Sequence, residues 1–193
     1  TGSHTVILDG TTDQFIGQDN PATNGQRFLD LTIENTSGSI VFDTDIAVSG
    51  TFTIPPGGSV NAGDDVLTVA GAFDDGSDAT QLQELVVAGD LSVIPPTVPG
   101  DVTVRAAFNL PSDVVVAGDV TIESADLIVG ANSISVGQDL VVTGAGAQLI
   151  MTDAASDVDV AGSATFDGTT HFGSLTDGTL QIGGALTVTG SST

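Results

Sequence analysis

Along Val114-Val115-Val116-Ala117-Gly118-Asp119-Val120-Thr121-Ile122, apolar side chains stand at 114, 116, 120 and 122, and Gly118 takes the middle place. A period of two marks a strand with one buried face. The pattern recurs in one register: Ile46, Val48, Gly50, Phe52, Ile54; then Leu67, Val69, Gly71, Phe73; then Leu85, Val87, Gly89, Leu91, Val93. After the type stretch come Ile134, Val136, Gln138, Leu140, Val142; Val158, Val160, Gly162, Ala164, Phe166; and Leu180, Ile182, Gly184, Leu186, Val188. Gly50 to Gly184 is 134 residues in six intervals, about 22 per copy. A period in that range signals stacked supersecondary units.

The central glycine reads as a corner. Four flanking positions point inward, and a Gly among them permits a sharp bend or a close backbone approach. The preceding residues are small: Ser49, Ala70, Ala88, Ala117, Gly137, Ala161 and Gly183. Shorter apolar patches, Leu127-Ile128-Val129, Leu149-Ile150-Met151 and His171-Phe172, lie between copies and supply a third strand per turn. The pattern therefore predicts an all-β fold, a parallel β-solenoid (β-helix) of about eight rungs of roughly 22 residues. Residues 5–193 form a single solenoid domain in this reading, with 5–44 as irregular opening rungs and 1–4 as a tag or cut-point remnant. The 29-residue interval from Gly89 to Gly118 carries Pro95-Pro96, Pro99 and Pro111, so 95–113 is expected to be an inserted loop. The expected core holds Val48, Ile54, Val69, Val87, Val116, Ile122, Val136, Val142, Val160, Ile182 and Val188, with Thr53 and Thr121 outside.

Phe28-Leu29-Asp30-Leu31-Thr32-Ile33-Glu34-Asn35-Thr36-Ser37-Gly38, followed by the Ile46-to-Ile54 strand, resembles repeats of large secreted bacterial β-solenoid surface proteins. Gly183-Gly184-Ala185-Leu186-Thr187-Val188-Thr189-Gly190 is similar in kind. Those families include haemagglutinin-like adhesins and autotransporter passenger domains. The resemblance implies an extracellular or cell-surface location, and a structural or adhesive segment of a surface protein or filament. Its partners would be neighbouring repeats or copies of itself end to end, or a cell-surface or glycan receptor. It carries over no catalytic residue.

Composition narrows the chemistry. Twenty-five acids face two Arg and no Lys, a net charge of −23. Nucleic-acid binding needs a basic surface and is excluded; adsorption to anionic membranes is disfavoured. No apolar run approaches the ~18 residues of a membrane span. There is no Cys, Trp or Tyr, so a cysteine nucleophile and the aromatic platforms of sugar-cleaving β-helices are missing. The chain is therefore read as non-enzymatic. One candidate site remains. The place after the central Gly points outward and holds Thr51, Ala72, Asp90, Asp119, Asp139, Ser163 and Ala185, which puts Asp90, Asp119 and Asp139 in one column. Carboxylates stacked at the ~4.8 Å strand spacing repel by ~1 kcal/mol per pair in water-like dielectric. Hard cations satisfy several oxygens at once, so weak Ca²⁺ binding at Asp90, Asp119 and Asp139, helped by Asp64, Asp65, Asp157 and Asp159, is one expectation. Asp side chains fanning apart into water is the other. A cation- or glycan-binding module is accordingly the alternative to the structural role.

Overall fold

A computed structural model describes residues 4–19, 27–77, 80–123, 125–167 and 174–189; His171, Phe172 and most of the 1–4 remnant lie outside these. Contacts divide the chain into two compact units, Thr1–Val86 with Leu91–Pro95, and Val87–Asp90 with Pro96–Thr193.

In the first unit, strands β1 (Thr5–Leu8), β3 (Asp30–Ile33), β6 (Thr51–Ile54) and β9 (Ala72–Asp75) pair in that order in one sheet. A second sheet holds β2 (Gln14–Ile16), β4 (Ile40–Phe42) and β7 (Val60–Asn61). A third holds β5 (Ile46–Val48), β8 (Val66–Val69) and β10 (Glu84–Val87). In the second unit, β11 (Thr97–Val98), β14 (Val114–Val116), β17 (Ser133–Val136), β20 (Asp157–Val160) and β22 (Thr179–Ile182) form one face. The next face is β12 (Asp101–Val104), β15 (Val120–Glu123), β18 (Leu140–Thr143), β21 (Ala164–Asp167) and β23 (Leu186–Thr189). The third is β13 (Phe108–Asn109), β16 (Asp126–Ile128) and β19 (Gln148–Ile150), continued by a Met151–Leu175 bridge. Pairing is parallel throughout the described registers, for example Val114↔Ile134 and Val120↔Leu140. The chain is an all-β parallel β-solenoid with about eight turns spaced about 21 residues apart.

The alternation seen in the sequence is the alternation of burial. Val116, Ile122, Val136, Val142 and Val160 are buried, and so are Val48, Ile54, Val69 and Val87; Thr53 and Thr121 are half-exposed on the outer face. Like side chains stack on like, as Val48 on Val69 and Phe52 on Phe73, whose rings lie 5.5 Å apart. Ile182 is only half-buried and Val188 is 48% exposed. Both belong to the last described turn, where no further turn packs on their inner faces.

The glycine corners join one face to the next, linking β5 to β6, β14 to β15 and β20 to β21. They are not there for backbone dihedral freedom. Among the described residues the positive-φ glycines are Gly57, Gly63, Gly130, Gly144, Gly146 and Gly178, none of them a central corner glycine. Proximity demands the corner Gly: a Cβ at Gly162 would lie 2.5 Å from the Gln138 carbonyl oxygen, and one at Gly184 2.7 Å from that of Gly162. Where Gln138 replaces the central Gly, the preceding Gly137 is the residue pressed against the turn below, at Ala117.

The segment 95–113 is not an inserted loop. It is a complete turn made of β11, β12 and β13, in register with the next: Thr97↔Val115, Val102↔Val120 and Phe108↔Leu127. Gly100 is the corner that pattern-matching missed, and the Gly118 N–H bonds its carbonyl. The prolines do not interrupt the ladder, because Pro96 enters it only as an acceptor for the Val115 N–H; a missing N–H matters only where a donor is needed. The 29-residue interval is thus an 18-residue turn from Gly100 to Gly118 preceded by 11 residues, about half a turn, over which the motif restarts.

Corner and non-corner glycines should respond oppositely to a side chain. Gly162→Val is expected to lower the denaturant midpoint by the equivalent of about 2 kcal/mol or more through overpacking. Gly146→Asn should change it little, since a Cβ there meets nothing within 4 Å and Asn tolerates the left-handed region. Equal sensitivity at the two sites would refute the close-approach account.

Candidate functional site: carboxylate ladders at the turn corners

In a strand, successive N–H groups point to opposite neighbours. At these corners two successive N–H groups point to the same one. Gly118 N bonds Gly100 O, and Asp119 N, the next donor, also faces that turn. With the Gly100 carbonyl taken, the second acceptor is the Asp101 side chain: Asp119 N donates to Asp101 Oδ1 at 2.8 Å. The arrangement then repeats. Gln138 N bonds Gly118 O while Asp139 N bonds Asp119 Oδ1 at 2.8 Å. Gly162 N bonds Gln138 O while Ser163 N bonds Asp139 Oδ1 at 2.7 Å. Gly184 N bonds Gly162 O while Ala185 N reaches Ser163 Oγ at 3.2 Å. In the first unit, Gly50 N bonds Leu29 O and Thr51 N bonds Asp30 Oδ1 at 2.8 Å. Paired N–H groups aimed one way favour an anion, and here the anion is a side chain of the neighbouring turn.

Aspartate and glycine are coupled by this geometry. To reach the second N–H, a carboxylate crosses over the central position of the next turn. A Cβ at Gly50 would strike Asp30 Oδ1, one at Gly118 Asp101 Oδ1, and one at Gly162 Asp139 Oδ1. Asp119 forms its bond beneath Gln138, so glycine is favoured there and not obligatory. Single bonds of the same kind recur at other corners: Asp13 accepts from Ser39 N, Asp45 from Val66 N and Asp113 from Ser133 N.

The expected column of Asp90, Asp119 and Asp139 is therefore redrawn. Asp119 and Asp139 do stack on consecutive turns, but Asp101 is the residue below them. Asp90 accepts instead from the Asn109 backbone N–H and side-chain amide, at 2.8 and 3.0 Å. Register explains the difference: skipping the Gly100 corner aligned Asp90 with Asp119, whereas the real neighbour is the Asp of Pro99-Gly100-Asp101. Nor do the helper acids converge on the column. Asp157 and Asp159 alternate along β20 beside Ser133 and Ser135 on one neighbour and Thr179 and Gln181 on the other. Among the described residues no three Asp, Glu or His side chains come together as a metal ion would need. Across the outer face, Arg105 Nε bonds Glu123 Oε2 at 2.9 Å, and Asp167 accepts from the Thr189 and Thr143 hydroxyls at 3.0 and 3.4 Å.

Asp64 and Asp65 lie in the first unit, where the Asp45–Val66 bond brings the turn carrying Asp43 and Asp45 beside them. Partial burial, then the charges of Asp45, Asp64 and Asp43, raise the Asp65 carboxyl above its ordinary value of 3.8. A small cavity of about 270 Å³ is lined by Met151, Leu175, Thr176, Asp177, Gly178 and Leu180; it brings one carboxylate together with apolar and hydroxyl groups and completes no catalytic constellation. Compared with protein-family models, curated proteins and solved structures, the chain matches none. Fold and corners together define its class: a parallel β-solenoid repeat protein.

A carboxyl whose value is raised on folding favours the protonated fold, so charged Asp65 opposes folding above that raised value and the penalty fades as pH falls through it. Asp65→Asn should therefore raise the melting midpoint at neutral pH, and the gain should vanish at and below about the ordinary carboxylate value. Thermal melts across that range check it; a gain that persists in acid, or a loss at neutral pH, contradicts the assignment.

Proposed function

We propose that this chain is a structural or adhesive segment of an extracellular surface protein or filament and catalyses no reaction. The observation that carries the proposal is the use made of its commonest charged side chain, aspartate. Eight aspartates, at 13, 30, 45, 90, 101, 113, 119 and 139, accept backbone N–H groups of the following turn. Acid groups spent on fastening turn to turn produce a stiff, highly charged coil, which suits extension and spacing. The likeness to secreted solenoid repeats supports a location outside the cell. Neighbouring repeats or further copies are the natural partners, because a parallel coil offers the same ladder of donors and acceptors to any turn of its own kind.

The alternative, a Ca²⁺- or glycan-binding module, differs in what stabilises the fold. A ligand that binds only the native state raises its melting midpoint. Displayed as a passenger segment on a bacterial surface, the chain is expected to stay intact under protease, and purified protein should melt at the same midpoint in EDTA and in millimolar Ca²⁺. A midpoint that climbs with Ca²⁺ would move the assignment to the cation-binding module. Rapid digestion on the cell surface would contradict the structural one.

A further inference from the structure

The sequence contains four Asp–Gly pairs: Asp9-Gly10, Asp75-Gly76, Asp167-Gly168 and Asp177-Gly178. Such pairs can rearrange, because an unbranched glycine N–H is free to attack the preceding side-chain carboxyl. What differs among them is where the glycine N–H is held. Gly10 N donates to Gln14 Oε1 at 2.9 Å, and Gly76 N to Ile54 O at 2.7 Å. Each is bonded to a group other than its own Asp and must break that bond before it can turn. Gly178 N instead donates to Oδ1 of Asp177 itself, at 3.0 Å. Both residues are exposed, and Gly178 sits at φ +87°. Gly168 lies outside the described residues.

We propose that Asp177-Gly178 is a site of spontaneous backbone isomerisation in the folded protein, and that its conversion releases strand β22 from β20. The Gly178 amide nitrogen attacks Cγ of protonated Asp177. A C–N bond forms, the Cγ–OH bond breaks, and the hydroxyl leaves with the amide proton as water. The resulting five-membered succinimide takes up one water. Opening at the side-chain carbonyl returns Asp177, and opening at the backbone carbonyl gives isoaspartate, with the chain routed through Cβ and Cγ. No oxidant, metal or enzyme is required. The product lengthens the backbone by one methylene at a turn with no slack: Thr179 N already bonds Ser156 O at 2.8 Å, and Gly178 is packed against the Ser156 backbone. The added atom displaces Thr179, the first residue of the Asp157↔Thr179 to Val160↔Ile182 register.

Ageing the intact protein in warm, mildly acidic buffer, followed by peptide mapping and isoaspartate-specific methylation, tests the first half. Asp177 should convert about ten-fold or more faster than Asp9 and Asp75, whose glycine amides become available only through local opening. In concentrated guanidinium all the Asp–Gly pairs should convert at similar rates, since each then reacts as the same Asp–Gly dipeptide in an unfolded chain. Folded-state conversion at Asp177 no faster than at Asp9 and Asp75 overturns the proposal. Hydrogen exchange tests the second half. Aged wild-type protein should lose amide protection over Thr179–Ile182, while aged Asp177→Glu protein, which would need a less favourable six-membered ring, should keep it. Unchanged protection in protein carrying isoaspartate at 177 removes the claim about β22.

Discussion

The corner N–H that finds no carbonyl is the constraint on which the rest of this coil depends. Each glycine corner in the Asp101 ladder turns the chain by pointing two successive N–H groups at one neighbouring turn, which offers a single free carbonyl. A polar group left unmatched at a partly buried site is expensive, whereas a hydrogen bond to a charged acceptor contributes about 1.5–3 kcal/mol in favourable settings. Asp is the shortest side chain that brings a charged acceptor to that distance. Its carboxylates repel their neighbours along the column by about 1 kcal/mol per pair, a cost that such a bond offsets. Where Thr51 stands in place of Asp, the next turn takes the other solution, and Ala72 N bonds the Gly50 carbonyl directly.

Features that otherwise look separate follow from this one constraint. The charge of −23 follows in part from the ladders, because a coil that fastens its corners with carboxylates accumulates them turn by turn. The Gly-Asp dipeptide at 118–119 follows from it as well: Asp119 supplies an acceptor to the turn after it, and Gly118 leaves room for Asp101 of the turn before. The ladder also has a direction. Every acceptor serves the turn that follows it in sequence, so Asp101, Asp119 and Asp139 form a chain that runs one way through the second unit. Such a surface is occupied with its own architecture, which is why the proposal rests on extension and spacing and not on a pocket.

Much of the fold was legible because burial follows a period of two. Val116 and Ile122 face inward for the same reason that they alternate, and the Leu127 and Leu149 patches are the third strands β16 and β19. The corner reading of the glycines also holds, though through close approach instead of unusual dihedrals. The Gly100 turn was hidden by its prolines. Pro96 and Pro99 look like loop residues in a chain read for donors, yet a turn can use a proline as an acceptor or at a bend. That one omission shifted Asp90 into the wrong column. The pairing of acid with backbone could not be read from the alternation at all, because it depends on which N–H groups a corner leaves over. A repeated Asp just after a corner Gly is the available signal.

Amide hydrogen exchange on the native protein and on Asp119→Ala tests the central claim most directly. In the native protein the Asp119, Asp139 and Ser163 amides should be protected like those of the flanking strands. In the variant, protection should fall at Asp139, whose acceptor is gone, and persist at the backbone N–H of position 119 itself, which is held by Asp101. Corner amides that exchange as fast as an unstructured peptide, or an Asp139 amide indifferent to the loss of the carboxylate at 119, would contradict the account.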